Sequence, residues 1–139
     1  MTDLKLIISI YLRGTELDPE NVSRLVGLPP SRAQRAGEAH TSSTGKRIVF
    51  KIGLWGITAS TNSQLISDHI LELAPAAEAI QRALPDLQGL EEAYVDIFAA
   101  AKVDAIDVPV EFELDPADMR VLAQLGLPIR FTVATGVDD

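Results

Sequence analysis

Residues 4–13, LKLIISIYLR, constrain the fold most: Leu4, Leu6, Ile8, Ile10 and Leu12 alternate with Lys5, Ile7, Ser9, Tyr11 and Arg13. A period of two puts successive side chains on opposite faces of a strand. One face here is aliphatic, whereas the other mixes charged, hydroxyl and aromatic groups. Such a strand belongs to a sheet covered by helices on one side, because doubly wound parallel sheets, buried on both faces, use strands that read as unbroken apolar runs. Val95, Ile97 and Ala99 alternate with Tyr94, Asp96 and Phe98, and Ile106, Val108, Val110, Phe112 and Leu114 alternate with Asp107, Pro109, Glu111 and Glu113. These two stretches predict a hairpin turning through residues 102–105. A last strand is predicted over Leu127, Ile129, Phe131 and Val133, with residues 136–139 as a frayed tail.

Residues 16–30 and residues 113–130 both contain the phrase ELDP…GLP. Its two acids could be taken for paired catalytic carboxylates, but helix capping accounts for them more simply. Asp18 and Asp115 supply side-chain acceptors for exposed helix amides, Pro19 and Pro116 preset the first turn, and Gly27 and Gly126 end each helix. Val22, Leu25 and Val26 are expected to line the first helix, and Met119, Leu122 and Ala123 the last. Between them Ile66, Ile70, Leu73, Ala77, Ile80 and Leu84 form the stripe of a long helix, which Pro75 should kink or divide. Residues 28–46 read as a long connection, and residues 48–58 as one bent strand or two short ones around Trp55.

The predicted order β, α, β, long α, β, β, α, β describes one α+β domain over residues 1–139. Its sheet is ferredoxin-like, mixed or antiparallel with about five strands, and its helices lie on one face. A chain of 139 residues is long enough to bury roughly two-thirds of its unfolded surface. It has no cysteine, so disulfides, thiolate metal sites and thiol nucleophiles are excluded. Net charge is −8, and the acids crowd the second half. That balance opposes a dedicated nucleic-acid binder. No apolar run approaches a membrane span, and the expected location is cytoplasmic.

No motif specifies a reaction, a metal or a cofactor. Ser60, Ser63 and Ser67 lack a nucleophile elbow, and His69 lacks further metal ligands, so a hydrogen-bonded, partly buried histidine is expected there. The loop over residues 30–55 offers a candidate ligand site of Arg32, Arg35, Glu38, His40 and Trp55. Its arginines suit phosphate or carboxylate, and Trp55 could wall a cleft, although a solvated loop and a core tryptophan are the plainer readings. The uncovered sheet face offers a candidate interaction surface of Tyr11, Arg13, Glu111 and Arg130, mixing aromatic, arginine and acidic groups. A solvated face with cross-strand ion pairs is the competing reading.

The combination of Gly27-Leu28, Pro30, Gly37-Glu38, Trp55, His69 and Leu125-Gly126 resembles the bacterial domain of unknown function 4279 family over nearly the whole chain. Ala36 stands where that pattern has a lysine or arginine before the Gly-acid pair. The resemblance implies a small bacterial protein with no established reaction and no catalytic residues to carry over. It suggests, by analogy with immunity proteins, a non-catalytic domain that binds a protein partner or small ligand. The alternatives are a small enzyme or anion-binding module using residues 30–55, and a homo-oligomer assembled through the sheet.

Overall fold

The computed structural model describes residues 3–103 and 109–137. In chain order the elements are β1 (Asp3–Gly14), α1 (Pro19–Val26), β2 (Arg32–Gln34), β3 (Ala39–Thr41), β4 (Arg47–Val49), β5 (Gly53–Thr58) and α2 (Ile66–Ala83). A 3-10 turn (Leu84–Asp86), β6 (Glu92–Val103), α3 (Pro116–Gln124) and β7 (Ile129–Val137) complete them. Five strands form one sheet in the order β2-β5-β1-β6-β7, and β3 pairs with β4 in a separate hairpin. Among the described residues only β6 and β7 run parallel; β2, β5, β1 and β6 pair antiparallel in turn. The α+β class and the mixed five-strand sheet are those expected from the sequence.

The core follows the period-two pattern. Leu6, Ile8, Ile10 and Leu12 of β1 join Trp55, Val95, Ile97 and Ala99 on one sheet face. Val22 and Val26 of α1, Ile66, Ile70, Leu73, Ala77 and Ile80 of α2, and Leu122 of α3 close over them. Each fully buried aliphatic side chain contributes about 1.5–3 kcal/mol relative to exposure. Helix ends behave as their residues dictate. Asp18 accepts from the Glu20 amide, and Gly27 leaves α1 in the left-handed region at φ 80°. Asp115 and Asp118 form a reciprocal capping box at the start of α3.

Several expectations need correction. Residues 28–46 are not a bare connection: β2 extends the sheet edge and β3 begins the hairpin. The alternative of two short strands holds for residues 48–58, with residues 47–49 in the hairpin and residues 53–58 in the sheet. α2 runs unbroken through Pro75. Residues 109–115 form no strand, while residues 104–108 of the expected hairpin lie outside the described residues. Phe112 and Leu114 nevertheless pack against the core, so their alternation reports an extended segment lying on it without a ladder partner. Leu25, Met119 and Ala123 are exposed, and Val121 and Leu125 are the half-buried neighbours of Leu122. Gly136 belongs to β7, not to a frayed tail. No helix among the described residues is long and apolar enough to cross a membrane.

Candidate functional site

The uncovered sheet face gathers residues distant in sequence into cross-strand rows. One row runs Arg32, Gly56, Tyr11, Tyr94 across β2, β5, β1 and β6. Beside it run Gln34, Leu54, Arg13, Glu92 on one side and Thr58, Ser9, Asp96, Arg130 on the other. Gly56 makes room for the Tyr11 ring, since a Cβ there would lie 2.5 Å from Tyr11 Cδ1. A glycine inside a strand commonly marks such a close approach. Tyr11 and Tyr94 meet at 5.7 Å between ring centroids, tilted by 50°.

The far wall is held by charge. Arg130 places its guanidinium carbon 3.9 Å from the centroid of the Tyr94 ring and also donates to Glu92. Arg13 reaches the other Glu92 oxygen at 3.6 Å. An arginine over an aromatic face is worth about 0.5–2 kcal/mol, depending on desolvation, and here it fixes the ring beneath it. Ser9 Oγ and Thr58 Oγ1 pair at 2.7 Å. These contacts frame an open cleft of about 280 Å³ lined by Tyr11, Arg13, Arg32, Gln34, Tyr94 and Asp96. Two groups in it differ electrostatically from their surroundings. Burial pushes the Asp96 carboxyl above its ordinary range, partly offset by a hydrogen bond from Thr132. Arg32 is exposed and has no ion-pair or hydrogen-bond partner among the described residues.

The five residues expected to form a loop site separate in space by role. Arg32 stands on the open face. Arg35 sits beside the start of α1, with Asp18 at 2.7 Å, Glu20 at 3.4 Å and Glu38 at 3.9 Å. His40 lies on β3 and stacks against Phe50 at 6.1 Å. Trp55 is fully buried on the helix side of the sheet and donates its indole N–H to Ser23 Oγ at 3.0 Å. Among the four residues of the expected interaction surface, Tyr11, Arg13 and Arg130 come together around Tyr94 and Glu92. Glu111 does not join them through a strand, because residues 109–115 form a connection. It borders a separate hollow with Leu4, Gln64, Phe112 and Asp118.

Asp96, Gln34 and Glu92 were not singled out by sequence reasoning. The alternation of β6 marks the polar side of Asp96, but only the strand register reveals which residues stand opposite it. His69 is wholly buried and donates from Nε2 to the Ser63 carbonyl at 2.8 Å, leaving Nδ1 without a partner among the described residues. That bond ties the loop before α2 to the helix. No group of three or more histidine and carboxylate side chains is placed to hold a metal ion among the described residues.

Residues 4–135 match a family model described as a domain of unknown function (DUF4279). No curated protein and no solved structure matches the chain.

Proposed function

The chain belongs to the DUF4279 family, which assigns no reaction, and we propose from its own surface that it is a non-catalytic binding domain whose open sheet face takes up a carboxylate- or phosphate-bearing ligand. The observation that carries this reading is Arg32, a guanidinium with no partner among the described residues, at the mouth of the tyrosine-lined cleft. Guanidinium recognises planar or tetrahedral oxyanions through paired, charge-assisted hydrogen bonds. Arg13 and Arg130 are already committed to Glu92. They hold the wall in place and leave Arg32 as the anchor. The rings of Tyr11 and Tyr94 add flat contact area at low conformational cost. Asp96, at the opposite side, favours a ligand donor such as a hydroxyl or ammonium group.

Anion binding at the loop through Arg35 is less favoured, because three carboxylates surround that side chain. A thermal-shift series with citrate, sugar phosphates and nucleotides, run beside an acidic peptide, tests the reading and separates a free ligand from an acidic protein segment. The expected result is a rise in melting temperature with one class, abolished by Arg32→Ala and retained by Arg35→Ala. A flat response to every anion, or a shift unaffected by Arg32→Ala, would remove the cleft from consideration.

A further inference from the structure

The two edges of the five-strand sheet are finished differently. At one edge β2 is three residues long and carries Arg32. At the other, β7 is nine residues long, and residues 131–136 are all exposed. Soluble proteins protect free edges with charges, prolines, bulges or short strands. The sequence FTVATGV of residues 131–137 contains no charge and no proline, and its register with β6 is unbroken from Ile129 to Val137. Arg130 is the one charged residue of β7, and Glu92 and Tyr94 already hold it.

The free backbone groups can be assigned. Val95 N–H donates to the Pro128 carbonyl at 2.9 Å, with Val95 opposite Ile129. In a parallel ladder of that phase the even residues of β7 bond β6. The N–H and C=O groups of Ile129, Phe131, Val133 and Thr135 therefore point away from the sheet. No described strand pairs with them. Phe131 and Val133, each 52% exposed, flank this edge on the helix side.

We infer that β7 pairs antiparallel with β7 of a second copy of this chain, about a two-fold axis at Thr132, joining two five-strand sheets into one of ten. A two-fold interface requires the same patch to complement itself, and β7 does so in this register. Phe131 stands opposite the partner's Val133, twice, and Thr132 stands opposite the partner's Thr132. Aromatic–β-branched and threonine–threonine pairs are favourable cross-strand neighbours. Arg130 faces the partner's Ala134, so no like charges meet although each copy carries −8. Moving the axis to Val133 puts Phe131 opposite threonine and forfeits both aromatic–valine pairs. Moving it to Phe131 brings the two copies of Arg130 into diagonal contact. Backbone phase agrees with the choice: Phe131 and Val133 have outward N–H and C=O groups, so they make hydrogen-bonded pairs and Thr132 falls at the closer, non-hydrogen-bonded position.

The chain has no cysteine, so Thr132→Cys introduces one thiol exactly once per copy at the axis. Opposed Cα atoms at a non-hydrogen-bonded position are about 4.5 Å apart, within the range a disulfide spans. Mild oxidation is expected to convert Thr132→Cys to a covalent species of twice 15.0 kDa, and to leave Ala134→Cys largely uncrosslinked. Sedimentation of the wild type is expected to show a mass that doubles with concentration. Val133→Pro removes an N–H that β6 does not use, so it should give a monomer with native circular dichroism. If that variant misfolds, Phe131→Lys takes its place with the same expectation. A wild type that stays monomeric at every concentration reached, or a dimer indifferent to both edge variants, overturns the inference. Doubling of mass without crosslinking at Cys-substituted Thr132 overturns the axis.

Discussion

Asp96 shows how one side chain can link register, burial and function. Its place between Val95 and Ile97 is that of any outward residue on a strand, but its neighbours Ser9, Arg130 and Thr132 come from other strands. Burial raises its pKa above the ordinary 3.8, against the hydrogen bond from Thr132. The folded state therefore holds this proton more tightly than the unfolded chain does. Stability falls as pH rises from the ordinary value through the raised folded one, and the full cost of the buried carboxylate is present above that window. Asp96→Asn keeps the acceptor for Thr132 and removes the charge. Urea unfolding across pH 3 to 8 is expected to show the variant more stable than wild type at neutral pH, with the difference vanishing in acid. A variant less stable than wild type at neutral pH, with the loss vanishing in acid, would show that the carboxylate is matched by contacts its burial does not reveal. Caps were legible at this scale, because Asp18 and Asp115 act on amides two and three residues away. The core place of Trp55 was legible as well, but the identity of its hydrogen-bond partner was not, since Ser23 is brought to it by the fold.

At the scale of elements, long periodic segments were legible and short ones were not. β1, β6 and α2 carry enough apolar repeats to define a face, and Pro75 does not end α2 because the helix stripe continues to pack on both sides of it. The strands β2, β3 and β4 have three residues each, too few to establish a period. Residues 109–115 mimic a strand because Phe112 and Leu114 need only one covered side, which the core supplies without a ladder. The β3–β4 hairpin supplies none of the buried core residues, and its base is closed by Phe50 N–H donating to the Glu38 carbonyl at 2.9 Å. Glu38 and Phe50 thus stand in the relation of first and last residues of a two-residue turn. Replacing residues 39–49 with Asn-Gly, which suits such turns, is expected to change unfolding free energy by less than about 1 kcal/mol, since loop length costs little. Chemical denaturation checks this; a much larger loss would mean that the hairpin braces the domain through contacts beyond its base.

At the scale of the molecule, the sheet separates two environments, and this separation explains why the fold was more legible than the site. The helix side is specified by hydrophobic pattern, which a long stretch of sequence displays by itself. The open side is specified by register, which places residues 11, 32, 94 and 130 together although nothing local relates them. Arg13 of the first half and Glu92 of the second meet across this register. The same partition sorts the chromophores. The single tryptophan, Trp55, is on the helix side, and the chain's two tyrosines, Tyr11 and Tyr94, are both on the open side. Emission excited at the red edge of the absorption band therefore reports on the interior alone, whereas near-ultraviolet tyrosine bands report on the open face. Ligand uptake is expected to perturb the tyrosine bands while tryptophan emission stays fixed, and unfolding to move both, so the protein carries its own two-colour distinction between occupancy and denaturation.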